Sequence, residues 1–208
     1  MNAAQPLDPA LLNAARPFVL TGAAADRARA LTCLTQAVYY EAASEPVEGQ
    51  RAVAQVVLNR VRHPLFPHSV CGVVYQGASL ATGCQFSFVC DGSMQRGHDA
   101  AGWALAQDVA RAALAGSVQP EVGEATHYHA TYVAPYWAPT VAKVAHIGLH
   151  IFYRWTGAMG LPSAFTARYA AVERIPVVRP HVVEAAPLQL ASAPEAEAAG
   201  ARLESYTI

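Results

Sequence analysis

The stretch from Leu31 to Val61 constrains the fold most, because it holds two apolar stripes of helical period with one break between them. At about 100° per residue, Leu31, Leu34, Val38 and Ala42 stack on one face of a first helix, which must bury that face against a core. Glu41 falls beside Leu34 at the edge of the stripe, where core gives way to cleft. The break comes at Glu45 and Pro46. Proline suits the first turn of a helix, so Pro46 reads as the first residue of a second helix, with Glu45 at its cap and Glu48 in its first turn, where acids are favoured. Val53, Val56, Val57 and Val61 form its buried face, and Pro64 and Pro67 end it. Glu41 is the residue this pattern does not explain. A carboxyl at the margin of an apolar face is poorly solvated, so its acid form is favoured and it can donate a proton near neutral pH.

The rest of the chain divides by composition and period. Residues 1–29 are rich in Ala and Pro with weak periodicity and read as an N-terminal arm with at most one short helix. From His63 to His98 the sequence is rich in Gly, Ser and Cys, a long loop region of the sort that usually carries function. A third helix is predicted over Asp99–Leu114, burying Trp103, Ala106, Val109 and Ala113 and stopping at Gly116. After it the period changes to two. The segments "THYHATYV" and "AHIGLHIFYRW" alternate apolar and polar positions and predict paired strands, with Pro135 and Pro139 breaking the chain between them. The fold class is therefore α+β, a helical core with a small antiparallel hairpin or sheet. Residues 157–208 read as a C-terminal extension, largely irregular, with roughly the last 35 residues a poorly ordered tail.

An apolar content of 53% over 208 residues supports one core, so residues 30–156 are expected to form a single catalytic-size domain. A formal charge of −1 with scattered Lys and Arg gives no basic stripe for a phosphate backbone, which argues against nucleic acid. No apolar run approaches the roughly 20 residues of a membrane-spanning helix, and the first residues lack the basic and apolar regions of a signal peptide; an export signal could lie outside this sequence. Cys33, Cys71, Cys84 and Cys90 include no C-x-x-C pair, which argues against a zinc knuckle or a redox motif and permits two disulfides. Three pairings exist. Cys84 with Cys90 is favoured because they bracket the short loop "CQFSFVC", leaving Cys33 with Cys71; four buried thiols are the alternative.

Five blocks, taken in order, resemble the cell wall hydrolases of the SleB/CwlJ type. They are "YYEAASEPVEGQRAVAQVVLNRV" from Tyr39, "FPHSVCGVVYQ" from Phe66, "CQFSF" from Cys84, "ATHYHATYVAPYWA" from Ala125 and "IGLHIFYR" from Ile147. Where that family usually reads E-A-R-G-E-P this chain reads E-A-A-S-E-P, so Glu41 is kept while Ala43 stands in place of the Arg. The resemblance implies a lysozyme-like α+β fold and peptidoglycan glycan strands as substrate, cut between N-acetylmuramic acid and N-acetylglucosamine. With disulfides and that substrate the enzyme is expected to be exported, in the periplasm or cell envelope; no membrane insertion, cofactor or metal is expected.

Glu41 is then the expected catalytic residue. Hydrolysis by retention or inversion normally uses two flanking acids, whereas anhydro-forming lysis can use one. Asp91 and Asp99 are the available second acids, but the amide and hydroxyl of "QFS" are the more telling feature, so Gln85 and Ser87 are expected to hydrogen-bond the sugar in a lytic reaction. Tyr128, Tyr132, Tyr136 and Trp137 suit either a glycan groove or a small core, and strand alternation puts Tyr128 and Tyr132 on one face with a shared fate. Two rival readings remain. His127 and His129 share a face of one strand, and His146 and His150 a face of the next, so a zinc amidase or peptidase is one; against it, "HIGLH" lacks the base of H-E-x-x-H. A non-catalytic peptidoglycan-binding module is the other, though it would need no acid at Glu41.

Overall fold

A computed structural model of the chain describes residues 6–8, 11–80, 83–176 and 178. Its elements are α1 (Ala24–Ala42), α2 (Val47–Arg62), the short α3 (Val70–Val74), α4 (Ala100–Leu114), β1 (His127–Ala130), β2 (Val141–Ile147) and β3 (His150–Trp155). The three strands form one antiparallel sheet in the order β1-β3-β2, so the class is α+β. Helix α1 starts ahead of the Ala30 expected, taking in part of the stretch read as an arm, and Asp26 in its first turn suits the positive end of the helix dipole.

Helix α2 organises the molecule. Every residue from Ala52 to Val61 is buried, so the single valine face expected from the sequence is really a helix covered on all sides. Ala54, Val57, Leu58 and Val61 pack with Leu34, Ala37 and Val38 of α1 and with Ala106, Val109 and Ala110 of α4. On the opposite side, Ala52 and Val56 pack with Val144, Ala145 and Phe152 of the sheet. Each valine so enclosed contributes about 1.5–3 kcal/mol by leaving water. The polar residues of α2 hold the segment that leads into β1. Asn59 Nδ2 donates to the carbonyls of Gly123 and Ala125 at 2.7 Å each, Gln55 Nε2 donates to Asn59 Oδ1 at 2.9 Å, and Gln55 Oε1 accepts the Gln119 N–H.

The loop from α1 to α2 corrects one expectation. Pro46 is the residue before α2, which opens at Val47, and Glu45 does not cap it. The Glu45 carboxylate is buried instead and accepts the Leu149 N–H, with both oxygens at 3.1 Å, clasping the turn between β2 and β3. Gly148 makes that turn with φ of 57°, and a Cβ there would overlap the Glu45 carboxylate. The segment "AHIGLHIFYRW" is therefore a hairpin rather than one strand, and β1 pairs with its second arm. Asp99 caps α4 by accepting the Gly102 N–H at 2.6 Å.

After β3 the chain packs back over the helices through short 3-10 turns. The buried Glu173 carboxylate accepts the N–H groups of Val70 and Cys71 at 2.9 and 2.7 Å and so closes the start of α3. The tail expected to be poorly ordered lies almost entirely outside the described residues. Cys33 is bridged to Cys71 and Cys84 to Cys90.

Candidate active site

Glu41 sits in the last turn of α1, where the negative end of the helix dipole disfavours a carboxylate. It opens onto a cavity of about 470 Å³ where α1, α2, the Cys84–Cys90 loop and the sheet converge. Burial raises its pKa above the ordinary carboxylate value and Asp91 adds to the rise, while the hydrogen bond from Tyr128 and the charge of Arg60 oppose it. The Tyr128 hydroxyl donates to Glu41 Oε2 at 3.0 Å. Burial and the Glu41 charge push the Tyr128 phenol well up, so it remains a donor.

The disulfide loop forms a second wall. Its side chains alternate, with Phe86 and Phe88 buried and Gln85 and Ser87 exposed toward the cavity they line. Phe88 stacks on Tyr40 of α1 with ring centroids 4.9 Å apart, which anchors the loop beside Glu41. Gln85 N–H donates to the Gln76 carbonyl at 2.9 Å, fixing the loop's entry.

The sheet separates residues that the sequence grouped. Tyr128 and Tyr132 both line the cavity, yet they do not share a strand face. β3 begins at His150, opposite Ala130, so the ladder ends there and Tyr132 lies on the turn beyond, 82% exposed. Tyr136 is exposed and does not line the cavity, and Trp137 packs with His127, His129 and Tyr153 behind β1, also outside the cavity wall.

The four histidines do not converge. His146 and His150 lie on opposite arms of the hairpin, His146 exposed and His150 buried against Tyr128. His127 is enclosed by Trp137 and Trp155, and burial with the nearby Arg60 and His63 pushes it down to about 4. His129 Nδ1 lies 2.9 Å from the Ala130 carbonyl, which can only accept, so this nitrogen carries a proton, while Nε2 lies 2.8 Å from the Tyr153 hydroxyl. Burial lowers the pKa of His150, against the opposing pull of Glu45. Among the described residues no three His, Cys, Asp or Glu side chains are placed to hold one metal ion.

Arg60 was not anticipated. It lies on α2 at 4% exposure, lines the cavity, donates from Nε to the Thr126 carbonyl at 2.7 Å and rests over the rings of Phe66 and Phe86 at 5.2 and 5.6 Å. Its signal was present in the sequence: it stands four residues after Val56 and three after Val57, a cation on a face otherwise apolar.

The cell wall hydrolase family matches residues 44–153, more than half the chain. This chain belongs to that family. The match opens at Ser44, so Glu41 lies just ahead of it and rests on the site geometry. Over 122 residues the chain is 33% identical to a spore cortex-lytic enzyme of Bacillus subtilis and 35% identical to one of Halalkalibacterium halodurans, covering 57% of this chain in each case. The chain spans about a third of the length of these relatives, 35% and 33% respectively. The catalytic domain of the germination-specific lytic transglycosylase SleB from Bacillus anthracis superposes with a TM-score of 0.50 at 30% identity, covering 61% of this chain and 94% of that one. The catalytic domain of the Bacillus cereus SleB protein gives 0.51 at 30% identity, covering 65% and 95%. The fold is accordingly the lysozyme-like one that the sequence blocks implied.

Proposed function

We propose that this cell wall hydrolase cleaves peptidoglycan glycan strands between N-acetylmuramic acid and N-acetylglucosamine by lytic transglycosylation. The observation that carries the reading is one half-buried acid, Glu41, on the wall of a cavity that no other carboxylate lines among the described residues. Both alternatives for a second acid have other work: Asp91 accepts the Ser93 N–H at 2.8 Å and Asp99 caps α4. The likeness to the catalytic domain of a germination-specific lytic transglycosylase supports the same outcome.

In the first step the Glu41 carboxyl gives its proton to the bridging oxygen as the bond from that oxygen to the muramyl C1 breaks, and the electron pair leaves with the oxygen. In the second, the Glu41 carboxylate takes the proton of the muramyl C6 hydroxyl while O6 bonds to C1. The product is a 1,6-anhydro sugar, Glu41 is again an acid, and no water is consumed. Gln85 and Ser87 hydrogen-bond the sugar beside the scissile bond, and the exposed Tyr132 offers a ring face to a pyranose. Two disulfides and a cell wall substrate support a location outside the cytoplasm, in the periplasm or envelope. Digestion of purified peptidoglycan in ¹⁸O-water, read by mass spectrometry, tests the reaction type. Anhydro-muropeptides without label are expected; labelled reducing ends would show hydrolysis, and freed peptides with intact glycan would show amidase action.

A further inference from the structure

We infer that Arg60 and Tyr128 are positioning residues that let a single carboxyl serve both halves of the reaction, by holding the ionised form of Glu41 within the cavity that all three line. The inference rests on the assignment of Glu41 as acid and then base. Such a group must be protonated at the start and must persist as a carboxylate long enough to accept the C6 proton. A contact ion pair would lock it ionised, and burial with no partner would make the carboxylate too costly to form.

The geometry avoids both extremes. Tyr128 gives one hydrogen bond to Oε2, and Arg60 gives a fixed positive charge in the same cavity without forming an ion pair with Glu41 among the described residues. The hydrogen bond from Arg60 Nε to the Thr126 carbonyl ties the guanidinium to the residues that lead directly into β1, so one contact sets the two donors relative to each other. The Phe66 and Phe86 rings lie against the guanidinium. Arg60 Nη1 is buried without a hydrogen-bond partner, a costly arrangement for packing alone. Burial brings the Arg60 pKa down only to about 10, so the charge is present wherever the enzyme works. The other groups around the carboxyl are Tyr40 from α1, His129 from β1 and His150 from β3 on the cavity wall, and Asp91 past the disulfide loop, whose charge acts against the carboxylate.

Removing either donor leaves burial less opposed, so the Glu41 pKa rises, the acid form survives to higher pH and the second step slows. The test is the pH profile of fragment release from purified peptidoglycan for Arg60→Gln, Arg60→Lys and Tyr128→Phe. Arg60→Gln and Tyr128→Phe are expected to move the alkaline limb up by about one pH unit and to lower the plateau about tenfold, while Arg60→Lys returns the limb toward its original position. Tyr128→Phe keeps the ring that packs on His150 and Phe152, so it carries the test if Arg60→Gln does not fold. Rates lowered evenly at every pH with the limb unmoved would overturn the inference. Glu41→Gln is run alongside: activity surviving in that variant would overturn the parent assignment instead.

Discussion

At the residue scale, Glu41 is a group whose folded environment works against its charge. Its pKa in the folded protein is raised, chiefly by burial, so the fold binds this proton more tightly than the unfolded chain does. The associated stability is present below the unfolded pKa of about 4.5 and is lost as pH rises through the folded value. Glu41→Gln keeps the acceptor for Tyr128 and removes the charge. We therefore expect its Tm to match the wild type in acid and to exceed it at neutral pH, measured by thermal unfolding at both. A lower Tm at neutral pH would mean that the carboxylate is stabilising. Glu41 was legible because an acid beside Leu34 breaks a pattern the neighbouring residues keep. Arg60 broke the pattern on α2 in the same way, but the valines around it drew attention to packing. Its partners, Thr126 and the rings of Phe66 and Phe86, come from distant parts of the chain that only the folded state brings together.

At the element scale, the sequence revealed helices better than strands, and the reasons are local. The stripes at Leu34, Val38 and Ala42 and at Val53, Val57 and Val61 repeat often enough to mark α1 and α2. The turn inside the last segment is hidden because "AHIGLHIF" alternates straight through Gly148. The partner of that turn, Glu45, lies over a hundred residues away in sequence, beside a proline that offered a sufficient local explanation for an acid. The clasp makes a prediction. Gly148→Ala puts a side chain at a φ of 57° and into the space of the Glu45 carboxylate, so both the turn and the buried acid must shift. A loss of about 2–4 kcal/mol is expected, seen as a fall in Tm of roughly 5–15 °C. An unchanged Tm would show that the clasp contributes little. Glu45→Gln, which keeps an acceptor for the Leu149 N–H, should cost less.

At the scale of the whole molecule, the two disulfides divide stability from function. Cys33–Cys71 joins α1 to α3 across 38 residues of chain, and Cys84–Cys90 closes only six. Loop-closure entropy assigns about 4 kcal/mol to the first and about 2.4 kcal/mol to the second. Cys33→Ser should therefore lower Tm more than Cys84→Ser, while fragment release should suffer more in Cys84→Ser, because Gln85 and Ser87 lose their restraint. Equal activity losses would detach the loop from the chemistry. The helices, the sheet and the loop meet at one cavity, and the account stands on the single acid there. Its most direct test is the release of soluble fragments from purified peptidoglycan by wild-type and Glu41→Gln protein of matched folding. The account predicts anhydro-muropeptides from the wild type and essentially none from the variant; fragment release by the variant at near wild-type rate would contradict it.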